Sequence, residues 1–508
     1  MVKDAGSTDF TIGVIGTGAM GRGIAQIMVV GGMKVLMFDA NDGAAEAGRA
    51  FAERMILRAA EKGAISDDEA AAGVARLAVV EAMAGLAPCD VVVEAVVENL
   101  DIKRKVLGEL EGIVSAGCIL ASNTSSLSVT AIAAGLEHRD RVAGFHFFNP
   151  VPLMKVVEVV EGLETSTGAA DALCVIARRA GHEPVRAKDT PGFLINHAGR
   201  GLNTEGVQIV SEGIADFAAI DDLLREGGPG FRMGPFELMD ITGLDVSHPV
   251  MESIYDQFYQ EPRFRPGALT RQRYAGGVYG KKTGRGFYDY EDNKKITPPS
   301  PAVPDLLPDA VWISRAQPDG RAMLVEALAD AVEIDDGSKP STRSLCLFTP
   351  LGDDTTSCAV AEGIEAERCF AVDTLFGLDG RRTLMTTPLS DPDLRDQVHT
   401  LLARGNHAVT VIHDSAGFVN QRVVAIIVNI ACDIAQQRIS IPDEIDKAVR
   451  LGLGYPRGPL AMGDAVGPAR LLKVLEAMVA FYGDPRYRPS PWLKRRAMLD
   501  VSLLTPEN

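Results

Sequence analysis

The chain has 508 residues, of which 46% are hydrophobic and 23% charged, with a formal net charge of −17 and seven scattered cysteines. This composition is typical of a globular protein with roughly two to four domains, and the negative charge disfavours nucleic acid and anionic membranes as partners. Without an 18-residue apolar run, a signal-peptide core at the amino end or a CxxC pair, the sequence predicts a cytoplasmic protein with no membrane span, disulfide framework or metal site.

The first fifty residues predict a strand, a tight turn, a helix and a second strand. The segment FTIGVIGTGAMGRGIAQIMVVGGMKVLMFDA carries the pattern G-x-G-x-x-G at Gly16, Gly18 and Gly21, and its second strand ends at Asp39, 18 residues after the last glycine. A lone pattern of this kind is a weak signal, but between two apolar strands it predicts a dinucleotide site. The alternative is a glycine-rich turn without a ligand.

Each position of this turn has a physical task. Gly16 permits the tight turn, Gly18 lets the backbone approach a pyrophosphate, and Gly21 lets the helix pack on the sheet. The pyrophosphate would lie over the first helical residues, Ala19 and Met20, where backbone N–H groups are free and the helix dipole favours an anion.

Asp39 indicates which cofactor the site takes. Its carboxylate would accept hydrogen bonds from the adenosine ribose hydroxyls and would repel a 2′-phosphate, so NAD is favoured over NADP. FAD shares the glycine fingerprint and stays open as the alternative cofactor.

From there to residue 160, apolar strands alternate with helical stretches. The strands are predicted at 90–96, 118–126, 140–148 and 155–160. This alternation indicates an α/β Rossmann-type doubly wound sheet, in which ligands bind at the carboxyl ends of the strands. Polar residues gather at those ends, namely Glu98, Asn123, Ser125, His146 and Asn149.

His146 lies among aromatic residues and Glu158 lies in a run of valines, so both are predicted to be buried. On residue type alone, a histidine satisfied by backbone groups is the commoner situation, and Glu158 would merely pair with a lysine. Beside a cofactor, however, neutral imidazole is suited to accepting a hydroxyl proton, and a carboxylate on its other ring nitrogen would fix the tautomer. We therefore expect the two residues to form one acid/base pair.

The pattern changes after about residue 190. Residues 190–290 are helical in period, and five prolines between positions 298 and 308 indicate a linker. Beyond the linker the chain repeats itself, since residues 181–193 align with 406–418 at an offset of 225 and residues 230–243 align with 454–467.

The repeat is weaker upstream, where RVAGFHFF aligns with CFAVDTLF, which places Thr374 at the position of His146 and Thr386 at that of Glu158. Residues 310–400 also contain no G-x-G-x-x-G, so the second copy keeps the framework and lacks the chemistry. The predicted segments are a Rossmann domain at 8–188, an all-α substrate and dimerisation domain at 189–295, a linker at 296–308, a degenerate α/β segment at 309–412 and a second all-α domain at 413–508.

Five motifs, in order behind the glycine fingerprint, carry a resemblance to a known family. They are ASNTSSL, GFHFFNPVPLMKVVEVV, KDTPGFLIN, GPFELMDITGLD and GKKTGRGFYDY. In these residues the chain resembles the 3-hydroxyacyl-CoA dehydrogenases over about residues 10–290, and its two-part length resembles the long bacterial form linked with phenylacetate catabolism. The resemblance implies NAD-dependent oxidation of an (S)-3-hydroxyacyl-CoA to a 3-oxoacyl-CoA, in fatty-acid or aromatic-acid catabolism.

The same resemblance implies roles for individual residues. His146 would be the catalytic base, Glu158 its partner, and Ser125 and Asn196 would bind the reacting oxygen or help to hold the thioester. The family usually has arginine where this chain has His197, which leaves the contacts of Asn196 open. The residues expected to contact the cofactor are Glu98, Lys103, Asn149 and one of Lys281 and Lys282, with Lys282 favoured, and Asn123 is expected to join them from its place at the strand ends.

Arg54, Arg58 and Lys62 recur every four residues after Asp39 and form one basic helix face. Such a stripe is often no more than a solvated surface. A lysine in the corresponding helix of the family supports a second interpretation, in which Arg58 and Lys62 bind the phosphates of the acyl-CoA substrate.

Two other functions stay open. A related NAD-dependent dehydrogenase would act on a free hydroxy acid or sugar acid, and a non-catalytic relative would bind NAD in a structural role. Short members of the family pair through their helical domains, so we expect the tandem helical domains to form a pseudo-dimer within one chain, with one NAD site per chain. Homo-oligomers through other surfaces stay open.

Overall fold

The computed structural model describes residues 3–298 and 302–507, which fall into two compact units. The first unit comprises the chain up to His197 together with Arg438–Leu453, and the second comprises Ala198–Gln437 together with the residues from Gly454 onward. The boundaries of these units differ from the predicted domain boundaries, because residues 438–453, predicted as part of the second all-α domain, belong to the unit with the first sheet. Pro299 and Pro301 of the predicted linker lie outside the described residues, and its described parts form no helix or strand.

The strands of the described chain belong to two large sheets and one small hairpin. Those of the first unit are β1 (Thr11–Ile15), β2 (Lys34–Phe38), β3 (Leu77–Val79), β4 (Val91–Glu94), β5 (Ile119–Ser122), β6 (Val142–Phe147), β7 (Val156–Glu161) and β8 (Glu183–Lys188). Those of the second unit are β9 (Tyr290–Glu291), β10 (Lys294–Lys295), β11 (Ala310–Ile313), β12 (Glu333–Asp335), β13 (Ser344–Phe348), β14 (Cys369–Val372), β15 (Arg382–Met385) and β16 (Val409–Ile412).

Helices separate most of these strands and make up most of residues 195–275 and 419–499. The first ten are α1 (Ala19–Val30), α2 (Ala44–Glu61), α3 (Asp67–Ala75), α4 (Leu100–Glu111), α5 (Val129–Ala133), α6 (Thr167–Arg179), α7 (Ile195–Ala198), α8 (Arg200–Ser211), α9 (Phe217–Glu226) and α10 (Pro235–Thr242). The others are α11 (Leu244–Gln257), α12 (Ala268–Ala275), α13 (Pro318–Leu328), α14 (Thr355–Glu362), α15 (Pro392–Ala403), α16 (Val419–Gln436), α17 (Pro442–Leu453), α18 (Pro459–Val466), α19 (Pro468–Tyr482) and α20 (Pro491–Leu499). None of the described helices is both long and apolar enough to cross a membrane.

The first unit is built on one sheet with the strand order β3-β2-β1-β4-β5-β6-β7-β8. Strands β1 to β6 run parallel, which confirms the predicted Rossmann-type sheet. Strand β7 pairs antiparallel with β6, a reversal that the sequence pattern did not predict. Residues 148–155 connect the two strands, and so short a connection cannot form the crossover of a dozen or more residues that a parallel pair requires.

Both faces of this sheet are buried, which explains why its strands are apolar runs rather than alternating patterns. In β4, Val91 and Val93 pack into the core on one side of the sheet, and Val92 packs into the core on the other side. Because β1 to β6 run parallel, their carboxyl ends meet at one edge of the sheet, where the polar residues of the predicted site follow them.

The second unit repeats this plan in reduced form, with the strand order β12-β11-β13-β14-β15-β16 and an antiparallel pair at β14 and β15. The two threonines that align with His146 and Glu158 are not partners across this antiparallel pair, so the two alignments do not hold together. The ladder pairs Val372 with Leu384 and continues to Asp373, whose N–H donates to the Thr383 carbonyl at 3.4 Å. Thr386 lies beyond the end of β15, so it is not opposite Thr374. The two connections differ in length, which shifts the register.

The two helical copies pack against each other within the second unit, mainly through α8 and α16. A Cβ added to Gly201 of α8 would lie 3.0 Å from Ile426 Cγ2 of α16, so the two helices approach closely. At the same contact Arg422, fully buried, lies 2.8 Å from Glu205 Oε1. The predicted pairing of the helical domains within one chain is therefore present in this unit.

Candidate active site

The glycine turn after β1 has the geometry that only glycine permits at two positions. Gly16 has φ +83°, and a Cβ there would lie 2.6 Å from the Ala95 carbonyl oxygen. A Cβ on Gly21 would lie 1.8 Å from the Gly16 carbonyl oxygen. A side chain at either position would therefore clash with the backbone, so the tight turn directly before α1 requires glycine at both.

The amino end of α1 offers room and donors for an anion. A Cβ added to Gly18 would meet no atom within 4 Å, so the space above this residue is open. No side chain caps the helix at Gly18, and no acidic residue lies in its first turn, where Ala19 and Met20 begin the helix. Uncapped N–H groups and the helix dipole fit a pyrophosphate, so this end of the sheet fits a dinucleotide such as NAD.

Asp39 follows β2, beside the glycine turn. Its Oδ2 accepts hydrogen bonds from Thr17 N–H and Thr17 Oγ1 at 2.8 and 3.0 Å, and its Oδ1 accepts two from Asn41. Partial burial raises the pKa of this carboxyl, but the hydrogen bonds outweigh it and the pKa is lowered overall. Asp39 is therefore an oriented, half-buried anion, and the role of Thr17 in holding it was not predicted from the sequence.

Glu98 holds the loop that carries Ser125. Its Oε1 accepts hydrogen bonds from Thr124 Oγ1 at 2.7 Å, from Ser125 N–H at 2.8 Å and from Ser126 N–H at 2.9 Å. Burial raises the pKa of Glu98, but Lys103 and these hydrogen bonds outweigh it and lower the pKa to about 2. Glu98 is consequently a permanent anion near neutral pH.

Lys103 lies behind this loop. Its side chain is 1% exposed, and its Nζ lies 2.8 Å from Glu94 Oε1 and 3.3 Å from Glu98 Oε2. Glu94 is wholly buried and also accepts a hydrogen bond from Ser122 Oγ at 2.6 Å. Lys103 thus holds Glu98 from within the domain. Glu94 and Ser122 were missed in the sequence, although a glutamate inside the run DVVVEAV was the available signal.

Asn123 and Asn149 follow neighbouring strands at the same edge. The Asn123 side-chain oxygen accepts a hydrogen bond from Phe147 N–H at 2.9 Å and so ties the end of β5 to the end of β6. Asn149 is exposed just beyond β6. The structure therefore brings both predicted residues to the ligand edge of the sheet.

His146 and Glu158 are direct cross-strand partners in the antiparallel pair β6 and β7. His146 Nδ1 lies 2.6 Å from Glu158 Oε2, and the two side chains are 6% and 0% exposed. The other carboxylate oxygen, Oε1, accepts hydrogen bonds from Leu194 N–H at 2.9 Å and Ile195 N–H at 2.8 Å. A carboxylate accepts only, so Nδ1 carries the proton and Nε2 presents a lone pair.

The chain around the histidine holds its ring in place. The ring centroid lies 4.4 Å from that of Phe148 and 5.8 Å from that of Phe193. Phe193 and Gly192 both have positive φ, at 50° and 75°, and this turn leads into α7. Asn196 lies in α7, one residue after the N–H donor Ile195, so the structure brings Asn196 to the same turn that holds Glu158.

Lys281 and Lys282 lie in the second unit and are both exposed. Lys282 Nζ lies 2.6 Å from Asp245 Oδ1, and a Cβ on Gly243 would lie 2.6 Å from the same Nζ. The lysine is thereby held in one orientation by a partly buried carboxylate. Lys281 has no ion pair among the described residues.

The basic face after Asp39 lies along α2. Arg54 and Arg58 line a groove of about 440 Å³ on this helix, and Lys62 is exposed one residue beyond the helix end. The Arg54 guanidinium lies 5.2 Å from the ring centroid of Phe51. In the described part of the chain, none of the three basic groups takes part in an ion pair, whereas Arg49 on the same helix pairs with Glu53 at 2.8 Å.

Comparison with known families agrees with this arrangement. The family description "3-hydroxyacyl-CoA dehydrogenase, NAD binding domain" matches residues 11–190. The description "3-hydroxyacyl-CoA dehydrogenase, C-terminal domain" matches twice, at residues 192–290 and 417–501, which confirms the predicted repeat of the helical domain.

Individual relatives extend the match over nearly the whole chain. A 3-hydroxyadipyl-CoA dehydrogenase of Escherichia coli is 34% identical over 493 residues, which is 96% of this chain and 98% of the relative. A probable 3-hydroxybutyryl-CoA dehydrogenase of Bacillus subtilis is 40% identical, and the match covers 55% of this chain and 96% of that protein. The crystal structure of an E. coli 3-hydroxybutyryl-CoA dehydrogenase superposes with a TM-score of 0.84 at 32% identity, covering 97% of this chain and 98% of the other. The chain therefore belongs to the 3-hydroxyacyl-CoA dehydrogenase family and is an NAD-dependent dehydrogenase of that family.

Proposed function

We propose that the chain oxidises an (S)-3-hydroxyacyl-CoA to the 3-oxoacyl-CoA with His146 as general base and Glu158 as its partner. The observation that carries this proposal is the buried cross-strand pair at 2.6 Å, at the same sheet edge as the glycine fingerprint. A buried histidine satisfied only by backbone would not need a carboxylate whose second oxygen is itself held by two N–H groups.

The tautomer of His146 determines which ring nitrogen accepts the proton of the substrate. With Nδ1–H directed at Glu158, His146 Nε2 accepts the proton of the substrate hydroxyl as the alcohol becomes a ketone. Glu158 then stabilises the imidazolium, and its own position is kept by Leu194 and Ile195. In the reverse direction the imidazolium returns the proton to the ketone oxygen.

NAD, when bound, supplies the hydride acceptor. The protein residues proposed to hold it are the turn Gly16–Gly18–Gly21 with Ala19 and Met20, the ribose acceptor Asp39, and the set Glu98, Lys103, Asn123, Asn149 and Lys282. We propose that Ser125, placed by Glu98, and Asn196 contact the reacting oxygen or the thioester.

The names of the long relatives differ in the acyl chain of the substrate. One is named for 3-hydroxyadipyl-CoA and another for 3-hydroxybutyryl-CoA. We propose that the substrate is a 3-hydroxyacyl-CoA thioester. We also propose that the enzyme acts in the cytoplasm, in fatty-acid or phenylacetate catabolism. Comparing kcat/KM for these two thioesters would decide whether a terminal carboxylate is preferred.

The direct test is NADH oxidation with acetoacetyl-CoA and with free acetoacetate. We expect turnover with the thioester and at least about 100-fold lower kcat/KM with the free acid, because only the thioester carries the nucleotide that the basic face can bind. Equal rates would support a dehydrogenase of free hydroxy acids, and no turnover with either compound in NAD-binding protein would support a structural role.

Asp39 should make the enzyme selective for NADH over NADPH. A 2′-phosphate would lie against a carboxylate whose pKa is lowered, and like-charge contact of this kind should cost about 100-fold in kcat/KM, or about 2.7 kcal/mol. Asp39→Ala should narrow the ratio in steady-state assays with both cofactors. Use of NADPH as well as NADH by the unaltered protein would contradict this assignment.

The basic face should recognise the nucleotide part of CoA. Arg58→Ala with Lys62→Ala should raise KM for acetoacetyl-CoA about tenfold, because two charge-assisted phosphate contacts are lost at exposed positions. KM for the corresponding pantetheine thioester, which lacks those phosphates, should stay unchanged. Arg49→Ala is the matched control, since Arg49 is already paired with Glu53 on the same helix. Equal effects on both thioesters would indicate a merely solvated face.

A further inference from the structure

The edge of the catalytic sheet is completed by residues from the carboxyl-terminal half of the chain. Strand β8 is the last strand of the sheet, and such an edge leaves backbone groups without partners. Here Lys188 N–H donates to the Ile439 carbonyl at 2.9 Å, and Arg186 N–H donates to Glu444 Oε2 at 2.6 Å. Ser440 Oγ donates to the Arg186 carbonyl at 2.6 Å. Residues 439–444 thus satisfy the outer side of this strand.

Helix α17 continues from this contact across the sheet. Lys447 Nζ lies 2.9 Å from Glu183 Oε1, which fixes the middle of the helix to the start of β8. Toward the end of the helix, Gly452 faces Ile195. A Cβ on Gly452 would lie 2.6 Å from Ile195 Cδ1 and 3.0 Å from Ile195 Cγ2. Ile195 is wholly buried, so it has little room to move away.

Gly452 is not explained by the helix end itself. Its φ is not positive, and the left-handed residue that follows the helix is Gly454, with φ +68°. Glycine is also a poor helix former, so helix propensity does not favour it in the last turn. Close approach to Ile195 is the remaining physical reason for a residue without a side chain at this position.

Ile195 connects this contact to the acid/base pair. Its N–H donates to Glu158 Oε1 at 2.8 Å, while Glu158 Oε2 lies 2.6 Å from His146 Nδ1. Asn196 is the next residue in the chain. A displacement of Ile195 would therefore change the position of Glu158 and of Asn196 together.

We propose that the carboxyl-terminal half, which lacks the catalytic residues, positions the acid/base pair of the amino-terminal half through α17, with Gly452 as a positioning residue. The proposal rests on the proposed roles of His146 and Glu158. Close packing of Gly452 keeps the turn at residues 193–196 pressed toward the sheet, so that the Ile195 N–H holds Glu158 in line with the imidazole.

The test uses full-length Gly452→Ala and Gly452→Val. A misplacement of about 1 Å at a catalytic group can cost about 100-fold in rate, so we expect kcat with acetoacetyl-CoA to fall about tenfold for Ala and about 100-fold for Val. The pH profile of kcat should shift, because the imidazole of His146 loses its alignment with the Glu158 carboxylate. KM for NADH should change less than about twofold, since the glycine fingerprint lies between β1 and α1 and not in the contacts of α17 described above.

A paired variant separates positioning from general damage. Ile195→Val removes the Cδ1 atom that a new Cβ would meet, so Gly452→Ala with Ile195→Val should recover most of the lost kcat. The matched control is Gly168→Ala in α6 of the same unit, where a Cβ would meet no atom within 4 Å and kcat should be unchanged.

The outcomes decide between three explanations. Wild-type kcat in folded Gly452→Ala and Gly452→Val would overturn the inference. A fall in kcat without rescue by Ile195→Val, or with a parallel rise in KM for NADH, would show a general packing defect and would also overturn it. His146→Gln distinguishes failure of the proposed function from failure of this inference. Normal turnover in this variant would contradict the acid/base pair itself. Loss of activity in His146→Gln together with normal Gly452 variants would contradict only the positioning role.

Discussion

His146→Gln should lower kcat for acetoacetyl-CoA reduction by about 10²–10⁴, the usual contribution of a positioned general acid or base. Glutamine can occupy the space of the ring and keep a hydrogen bond to Glu158, but it cannot take up or release a proton near neutral pH. The affinity for NADH, measured by fluorescence titration, should change little, because the fingerprint turn lies between β1 and α1 and Asp39 follows β2, whereas His146 lies on β6.

Glu158→Gln should also lower kcat, for a different reason. Its amide oxygen can still accept from Leu194 and Ile195, which directs the amide N–H₂ toward His146 Nδ1. That contact favours the tautomer with the proton on Nε2, which removes the lone pair that accepts the substrate proton, and it no longer stabilises imidazolium. The pH profile of kcat should change in this variant. Near-normal turnover in either variant would refute the acid/base pair.

Arg422→Met should lower the free energy of unfolding of the second unit by about 3 kcal/mol, because the buried carboxylate of Glu205 loses its nearer cation and keeps only Arg486, at 3.6 Å. Arg422 is wholly buried, and it contacts Glu205 at 2.8 Å and Glu212 at 2.6 Å. Burial lowers the pKa of this guanidinium, but Glu205 and the other partners outweigh it and raise the pKa overall, so the group stays charged. Glu205 is 1% exposed and cannot recover the lost interaction from water.

The second variant and the control separate this charge effect from lost packing. Adding Glu205→Gln to Arg422→Met should recover part of the loss, since the buried charge that lost its nearer partner is removed. Lys494→Met, which breaks an exposed pair with Glu476 in the same helical domain, should change stability by less than about 1 kcal/mol.

Urea unfolding followed by Trp492 fluorescence measures these differences, in a Trp312→Phe background so that the buried Trp492 is the only tryptophan. Equal stability of Arg422→Met and the unaltered protein would show that the pairing of α8 with α16 does not depend on this ion pair.

The sequence by itself determined the features that depend on a few contiguous residues. The glycine fingerprint is one, because positive φ at Gly16 and close approach at Gly21 admit no other residue. Both requirements lie within six consecutive positions of the chain. The inner strands of the first sheet, β1, β2 and β4 to β7, are another, because burial on both faces makes them largely apolar runs, whereas the two edge strands, β3 and β8, were not predicted. The repeat of the helical domain was also readable, since KDTPGF and HDSAGF stand at a constant offset.

The tertiary structure alone decided how distant segments meet. The reversal of β7 makes Glu158 the partner of His146, and the turn at 193–196 supplies the two N–H groups that hold it. The burial of Lys103 between Glu94 and Glu98 likewise depends on packing around a helix rather than on a motif.

Register and partner choice were beyond the sequence for the same reason. Thr374 and Thr386 align by letters but do not face each other, because connection length and not residue identity sets the strand register. Helix α17 buries Ile445, Ala448 and Val449 on one apolar face, but an apolar face in a sequence does not show which surface covers it. Only the folded chain shows that α17 lies on β8, with Gly452 against Ile195, since contacts between residues more than 250 positions apart depend on how the whole chain packs.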